Sequence, residues 1–392
     1  MQYDFDKVID RKGTDSVKYD ILKDLFGKED ILPMWVADMD FEAPDFVQEA
    51  IMERARHGIY GYTTRPARFY ESISGWMDRR HGWRTDPSWI DFSPGVVPAL
   101  VMMVLGYTEP GDRVLVQSPV YFPFFSAIKN HGRELINNQL VDRNGEYSMD
   151  FAALEDTFRK GVKMMMLCHP HNPVGRAWKR EELEKLAALA LEYKVLILSD
   201  EIHSDLVLFG NKHVPFASLG KEISMQTITC VAPSKTFNLA GLHTSAVIIE
   251  NKELKKKYQK ILEDIHVGGG NIFGFTALEA AYNNGEDWLK QLIGYLEKNY
   301  LFLVNTLKSE LPAVRVSPLE ATYLAWMNFS TFGLTDRELM QLMVEEAGLA
   351  FVDGPRFGDG GSQYLRMNIA CPRTLMEEAV ERMVKAISTR FP

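Results

Sequence analysis

Residues 227–242 read TITCVAPSKTFNLAGL and place Lys235 just beyond an apolar run. The run at 227–232 is rich in β-branched residues, which is typical of a buried strand. A lysine in an apolar environment can lose its proton and become a nucleophile. Because most lysines at strand ends are simply solvated, Lys235 is a candidate carbonyl-binding lysine only if neighbouring strand ends supply partners for it.

The segments around this stretch alternate between short apolar runs and helical patterns. The predicted elements are strands at 162–167, 195–199, 227–232 and 245–249 and a helix at 181–193. This order predicts an α/β fold with a mostly parallel sheet that is covered on both faces. In such a fold the functional groups lie at the carboxyl ends of the strands.

The last quarter of the chain has a different pattern, in which short strands are interleaved with helices. The predicted elements are helices at 287–311, 335–347 and 374–387 and strands at 323–327, 349–352 and 364–369. This arrangement predicts a smaller α+β domain. No low-complexity segment or flexible linker precedes it, so we expect the two domains to pack closely.

Polar side chains follow three of the predicted strands. The segment HPHNPVG at 169–175 forces a turn that presents Asn172, and Asp200 comes directly after the apolar residues of the next strand. A carboxylate in that position is costly unless a cation pairs with it. With Lys235 after the third strand, we expect an amide, a carboxylate and an amine at one edge of the sheet.

This combination of groups suits pyridoxal 5'-phosphate. A lysine can form a Schiff base with the cofactor aldehyde, and a carboxylate can keep the ring nitrogen protonated, so that the ring withdraws electrons from the substrate. We therefore predict that Lys235 binds the cofactor and that Asp200 contacts the ring nitrogen. Asn172 is predicted to donate to the phenolate oxygen, and His203 either reaches the same edge of the ring or braces Asp200.

Eight motifs along the chain resemble those of one enzyme family. They are PMWVADMDF (33–41), GYT (61–63), PGVVP (94–98), SPVYFP (118–123), PHNPVG (170–175), SDEIHSD (199–205), the Lys235 segment and LRMNI (365–369). Together they resemble the fold-type I enzymes of the class I/II aminotransferase superfamily, which are aspartate-aminotransferase-like. Within it they resemble most closely the MalY/PatB-type cystathionine β-lyases, which are cysteine-S-conjugate β-lyases.

The resemblance implies roles for several further residues on the cofactor side. Tyr121 is expected to stack on the cofactor ring, and either Tyr121 or a tyrosine near it is expected to help protonate the departing sulfur. The backbone N–H groups of Val96 and Val97, at the start of a helix, and the hydroxyl of Ser234 would bind the phosphate. Tyr62 would reach the phosphate of a neighbouring subunit, which implies a homodimer.

The substrate side of the implied site depends on two residues. Arg366 resembles the family's carboxylate clamp, in which a planar guanidinium binds the substrate α-carboxylate through two parallel hydrogen bonds. The backbone at Ala37 is expected to hold the other side of that carboxylate. His243 stands eight residues after Lys235, where related aminotransferases usually carry an arginine that pairs with the phosphate, so the resemblance favours the lyase branch.

The implied activity is that of a carbon–sulfur β-lyase that depends on pyridoxal 5'-phosphate. Lys235 would remove the Cα proton of L-cystathionine or a related L-cysteine S-conjugate, and the products would be pyruvate, ammonia and a thiol. Two alternatives stay open. An amino acid aminotransferase would need the same residues, and some members of the lyase group have an additional regulatory protein-binding role.

The resemblance also implies three parts of the chain. Residues 1–45 would complete the small domain and the substrate site, residues 46–286 would form the large cofactor-binding α/β domain, and residues 287–392 would form the small α+β domain.

Composition limits the function classes further. The 392 residues are 46% apolar and carry a formal net charge of −9, which opposes binding to nucleic acid. The three cysteines are far apart and form no C-x-x-C pair, so we predict buried thiols and neither a disulfide framework nor a metal site. The charged N-terminus and the lack of a long apolar run predict a cytoplasmic protein without a membrane span.

Overall fold

The computed structural model describes residues 2–392 of the chain. Its strands are β1 (Leu32–Pro33), β2 (Ile90–Ser93), β3 (Arg113–Val116), β4 (Glu134–Asn137), β5 (Val141–Arg143), β6 (Glu146–Ser148), β7 (Met164–Cys168), β8 (Leu196–Asp200), β9 (Thr227–Val231), β10 (Ser245–Ile248), β11 (Arg315–Val316), β12 (Leu324–Asn328), β13 (Leu349–Ala350), β14 (Val352–Asp353) and β15 (Tyr364–Asn368). Its helices are α1 (Val17–Asp20), α2 (Leu22–Phe26), α3 (Asp45–Arg56), α4 (Ala67–His81), α5 (Val96–Tyr107), α6 (Pro123–Lys129), α7 (Phe151–Arg159), α8 (Arg180–Glu192), α9 (Lys221–Ser224), α10 (Pro233–Thr236), α11 (Lys252–Asp264), α12 (Ile272–Asn284), α13 (Glu286–Glu310), α14 (Asp336–Gln341) and α15 (Arg373–Arg390).

The central sheet has seven strands within the described residues, in the order β2-β10-β9-β8-β7-β3-β4. β10 runs antiparallel to both of its neighbours, and the other pairs are parallel. The predicted α/β fold with a mostly parallel sheet is therefore confirmed. Because β7, β8 and β9 are adjacent and parallel, the residues that follow them meet at one edge of the sheet.

The inner strands are buried on both faces, which explains their continuous apolar sequences. In β7, Met164 and Met166 pack with α5, α6 and α11, whereas Met165 and Leu167 face α7 and α8. Successive side chains of a strand point to opposite faces, so a strand between two helical layers must be apolar at every position.

The C-terminal part contains a second sheet, which is antiparallel and has the order β11-β12-β15-β14. Helices α13 and α15 pack together, and their apolar residues share a core with α4, α12 and the adjoining edge of the central sheet. The N-terminal strand β1 pairs with β13, which joins the start of the chain to this part. The smaller α+β unit is thus present, and the boundaries at 45/46 and 286/287 stay predictions.

Two C-terminal elements differ from those predicted. The helix at 335–347 is α14 followed by a π-helical turn at Leu342–Glu346. The strand at 349–352 is divided, because β13 pairs with β1 whereas β14 pairs with β15. An apolar run cannot reveal that its two halves pair with different strands.

The three cysteines, Cys168, Cys230 and Cys371, are free thiols and are buried, as predicted. Among residues 2–392, no helix has both the length and the apolar character that crossing a membrane requires. The cytoplasmic location stays a prediction.

Candidate active site

A cavity of about 390 Å³ lies at the edge of the central sheet where β7, β8 and β9 end. Most of the predicted site residues line it; these are Ala37, Val96, Val97, Tyr121, Asn172, Asp200, His203, Ser234 and Lys235. Arg366 contacts one of them directly, and Tyr62 does not line the cavity. The site therefore combines strand ends that are far apart in sequence.

Lys235 lies on the short helix α10, which begins two residues after β9 ends. Its Nζ donates to the carbonyl oxygen of Ala37 at 2.6 Å. Burial lowers the pKa of the amine to about 8, and the nearby charge of Arg366 acts in the same direction. The neutral, nucleophilic amine is therefore accessible near neutral pH.

Asp200 is the last residue of β8 and is buried. Its carboxylate accepts one backbone hydrogen bond, from Ile202 N at 3.2 Å, and within residues 2–392 it forms no ion pair. Burial raises its pKa to about 7, and the Ile202 N–H and the charge of Lys235 oppose that shift only in part. A buried carboxylate with so few donors suits a cationic N–H group of a ligand.

Arg366, in β15, enters the site from the C-terminal part. Its Nη1 donates to Asn172 Oδ1 at 3.0 Å and its Nη2 to Trp35 O at 3.1 Å, whereas Nε is buried without a partner. Burial lowers the pKa of the guanidinium to about 10, so it remains cationic at neutral pH. No carboxylate pairs with this buried cation in the described part of the chain, which makes it a receptor for an anion.

The contact with Arg366 also fixes the chemistry that Asn172 can offer. Because its Oδ1 accepts from Arg366, the amide NH₂ is the group left for a ligand in the cavity. This is the donor that the sequence predicts for the cofactor phenolate oxygen.

The first residues of helix α5 also line the cavity. Gly95 precedes it with a φ of 144°, and a Cβ on this residue would lie 3.3 Å from Pro98 Cδ. The first N–H groups of a helix lack intrahelical partners, so those of Val96 and Val97 are available to an anion. Ser234 and the exposed His243 line the same cavity.

Two aromatic side chains complete the predicted cofactor pocket. Tyr121 is half-buried, and its ring packs against Phe122 at a centroid distance of 5.2 Å. His203 is buried, its Nδ1 has no partner, and its ring meets that of Tyr323 edge to face at 5.9 Å. Burial, with Lys235 and Arg366 nearby, lowers the pKa of His203 well below its usual value, so the imidazole is neutral. In the described residues 2–392, His203 makes no hydrogen bond to Asp200. The structure therefore does not show the predicted bracing of Asp200 by His203.

Tyr62 lies in the segment between α3 and α4 and is fully exposed. A single chain cannot test a residue that is expected to act across a subunit interface. Its role therefore stays a prediction.

Some residues around the cavity have no counterpart in the sequence prediction. Tyr323 donates to Ala37 O at 2.9 Å, beside Lys235. Asn368 donates to the carbonyls of Val36 and Asp38, and so fixes the segment that carries Ala37. Asn368 belongs to the quoted motif at 365–369, so a close examination of that motif could have singled it out. Tyr323 stands in an ordinary apolar stretch and offers no such signal.

His169 also acquires an explanation that its sequence context did not provide. It is buried directly after β7, its ring packs against His213 at 4.3 Å, and its Nε2 contacts Val214 O at 2.9 Å. His213 in turn contacts Glu201, the residue after Asp200. These histidines therefore support the segment behind the cavity.

Known proteins match this chain in both sequence and fold. Residues 29–383 match the family described as aminotransferase class I and II. Cystathionine beta-lyase PatB of Bacillus subtilis is 47% identical over 385 residues, which are 98% of this chain and all of PatB.

Two solved structures share the fold over nearly the whole chain. The PLP-bound putative aminotransferase of Clostridium difficile 630 has a TM-score of 0.97 at 44% identity and covers 98% of this chain and 100% of its own. The PLP-bound C-S lyase of Staphylococcus hominis has a TM-score of 0.92 at 32% identity and covers 98% of both chains. The chain belongs to the class I and II aminotransferase family, in the group that also contains PatB.

Proposed function

We propose that this chain is a carbon–sulfur β-lyase that depends on pyridoxal 5'-phosphate. Its substrate would be L-cystathionine or a related L-cysteine S-conjugate, and its products pyruvate, ammonia and a thiol. Relatives named cystathionine beta-lyase and a PLP-bound C-S lyase with the same fold support this activity. The replacement of the usual phosphate-binding arginine by His243 supports the lyase over an aminotransferase.

One observation carries the proposal: three buried ionisable groups at the site form no ion pair within residues 2–392. They are Asp200, Lys235 and Arg366. Burying an unpaired charge is costly, so a ligand must supply the partners. Three groups of a cofactor and its substrate would be suitable partners: a pyridine N–H⁺ for Asp200, an aldehyde for Lys235 and an amino acid carboxylate for Arg366.

The residues present therefore fit pyridoxal 5'-phosphate. When bound, the cofactor supplies an aldehyde that takes up an amine and a ring that stabilises negative charge at the substrate Cα. Asp200 would keep the ring nitrogen protonated, and Tyr121 would cover the ring. Asn172 would donate to the phenolate oxygen, and the N–H groups of Val96 and Val97 would bind the phosphate.

The chain's own residues would then carry out the proton transfers. Arg366 orients the substrate through its α-carboxylate, so that the Cα–H bond faces Lys235. The Lys235 amine takes the Cα proton, the electrons of that bond form the Cα–Cβ double bond, and the Cβ–S bond breaks. Tyr121 gives a proton to the departing sulfur, and water then converts the remaining three-carbon unit to pyruvate and ammonia.

The proposal includes a homodimer in which Tyr62 of each subunit reaches the phosphate bound by the other. Its support is the exposure of Tyr62 together with Ile59 and Tyr60, which form an apolar segment on the surface of a single chain. Exposed apolar clusters of this kind are typical of interaction sites. Light scattering on the purified protein would measure the oligomeric state, and a monomer would exclude the role of Tyr62.

The deciding experiment supplies L-cystathionine to the purified protein without a 2-oxo acid. Pyruvate, ammonia and thiol are expected in equal amounts, and Lys235→Ala should reduce their release by about 10⁴-fold and remove the visible absorbance of the bound cofactor. Release of thiol without pyruvate, or an undiminished rate in Lys235→Ala, would contradict the proposal.

An aminotransferase is the second candidate. The Clostridium structure, described as a putative aminotransferase and 44% identical, favours it, and Lys235, Asp200 and Arg366 would serve it equally well. In that case turnover would require a 2-oxo acid, and the amino group would be conserved in the product. A regulatory protein-binding role stays a prediction.

A further inference from the structure

The carbonyl oxygen of Ala37 receives hydrogen bonds from two side chains. Lys235 Nζ donates to it at 2.6 Å and Tyr323 Oη at 2.9 Å. Lys235 must be a free amine when it takes a proton from the substrate. The Ala37 carbonyl, which accepts a hydrogen bond from that amine, therefore affects both its position and its protonation. Tyr323 donates to the same carbonyl.

Burial and backbone hydrogen bonds fix the position of Tyr323. It is fully buried, and its own carbonyl accepts from Ile369 N at 2.9 Å. The preceding residue, Thr322, has a φ of 73°, which is rare and costly for a β-branched residue. Thr322 N donates to Leu206 O at 2.7 Å, which helps to maintain this conformation. Backbone strain of this kind is found where the direction of a side chain matters to function.

A buried tyrosine hydroxyl requires an acceptor in any case, so the contact could be merely structural. The surrounding contacts argue otherwise. Asn368 already anchors the carbonyls on either side of Ala37, those of Val36 and Asp38, at 2.6 and 2.5 Å. The segment is therefore fixed without Tyr323, and the effect of the hydroxyl is confined to the oxygen that receives Lys235.

We propose that Tyr323 is a positioning residue for Lys235. Its hydroxyl donates to the Ala37 carbonyl and so competes with the Lys235 ammonium for that oxygen. The Lys235 amine therefore stays beside the cavity in its neutral form. Tyr323 does not line the cavity and is therefore not a catalytic residue. The inference rests on the proposed function in one respect, namely that Lys235 is the cofactor lysine. The other charged or titratable groups that face Lys235 are Arg366, Asp38, Asp200 and His203.

The test compares Tyr323→Phe with the matched control Tyr107→Phe. Tyr107 is also buried and donates to a backbone carbonyl, that of Leu254, but it lies at the far end of α5. The first measurement is the rate at which cofactor-free protein acquires the visible absorbance of covalently bound pyridoxal phosphate, as a function of pH. Without the competing hydroxyl the carbonyl holds the ammonium more strongly, so the midpoint of this rate profile should rise by a few tenths of a pH unit.

The second measurement is turnover by the loaded enzyme. Tyr323→Phe should lower kcat about tenfold and leave KM within about twofold, because the lysine is misplaced while Arg366 still binds the substrate. The control should change neither the midpoint nor kcat. An unchanged midpoint and an unchanged kcat in Tyr323→Phe would overturn the proposal and leave Tyr323 a structural residue.

A third variant keeps the proposal testable if Tyr323→Phe does not fold. Replacement of Tyr323 by 3-fluorotyrosine preserves the shape and makes the hydroxyl a stronger donor, so the loading midpoint should move downward; an upward or absent shift would contradict the competition. Because loading involves no sulfur substrate, a failed lyase assay would refute the proposed function without affecting this result.

Discussion

Two buried carboxylates, Asp200 at the end of β8 and Asp205 five residues later, have opposite environments. Asp205 accepts hydrogen bonds from Trp76 Nε1 at 3.0 Å, Thr236 Oγ1 at 2.8 Å and His81 Nε2 at 2.9 Å. Burial acts to raise its pKa, but the hydrogen bond and charge of His81, together with the Thr236 hydrogen bond and the charge of Arg80, outweigh that effect, and the pKa is lowered. Asp200, five residues earlier, has one backbone donor and a pKa that burial raises to about 7.

This contrast distinguishes buried groups whose hydrogen-bond partners all come from the protein from buried groups that are available to a ligand. Two arginines show the same contrast. Arg133 is buried, and its guanidinium donates to Thr108 and to the carbonyl of His131. Arg366 is also buried, but its Nε has no hydrogen-bond partner. Buried polar groups in folded proteins nearly always have partners, so the incomplete ones mark the site.

The largest effect expected from this contrast comes from replacing the two carboxylates in turn. Asp200→Asn should lower kcat by about 10³-fold, because an amide cannot hold the cofactor ring nitrogen protonated in a buried pocket. Asp205→Asn should instead lower the free energy of unfolding by about 2 kcal/mol, since it disturbs a satisfied network. Pyruvate release and urea unfolding measure the two quantities. Equal losses of kcat in both variants would remove the distinction between the two carboxylates.

The pH dependence of stability sharpens the same comparison. In cofactor-free protein, Asp200 keeps its proton up to pH about 7, whereas in the unfolded chain it releases it near its ordinary pKa of 3.8. A raised folded-state pKa stabilises the fold fully below pH 3.8, and this contribution is lost as the pH rises to about 7. The loss should be on the order of 4 kcal/mol.

The measurement is the free energy of unfolding of the cofactor-free protein minus that of its Asp200→Asn variant, between pH 4 and 8. The subtraction removes other groups, such as His169, whose burial lowers its pKa to about 3 and gives the opposite slope. The difference should fall over this interval. A flat difference would mean that Asp200 is satisfied by the protein.

The central part of the fold was predictable because its physics is local. Strands covered on both faces must be apolar throughout, so β7, β8 and β9 are visible in the sequence as continuous runs. Their parallel arrangement then brings Asn172, Asp200 and Lys235 together, as predicted from the strand ends. The reversed direction of β10 has no such signal, because a buried strand looks the same in either direction.

The parts of the site that were not predicted depend on contacts between distant segments. Tyr323 meets Ala37 across 286 positions, and nothing in its local sequence distinguishes it from a core tyrosine. The motif at 365–369 identifies Arg366, but its contacts with Asn172 and Trp35 follow only from the way the C-terminal part packs on the central sheet. Sequence patterns predict which residues are buried, but they do not predict which buried residues contact each other.

The smallest of the three effects compares the two arginines. Arg366→Ala should lower kcat/KM by about 100-fold, mainly through KM, because the substrate carboxylate loses a charge-assisted, two-point partner. The cofactor absorbance should be unchanged, since the phosphate end of the cavity is built from Val96, Val97 and Ser234. Arg133→Ala should lower stability without changing KM, because its donors serve only the protein.

Steady-state kinetics and thermal unfolding of both arginine variants distinguish these outcomes. The contrast would fail if Arg133→Ala raised KM as much as Arg366→Ala. It would also fail if Arg366→Ala lost the cofactor, because Arg366 would then hold the pocket together and would not be reserved for the substrate. Retention of the cofactor with a raised KM would instead identify the unpaired Nε as a donor to the substrate carboxylate.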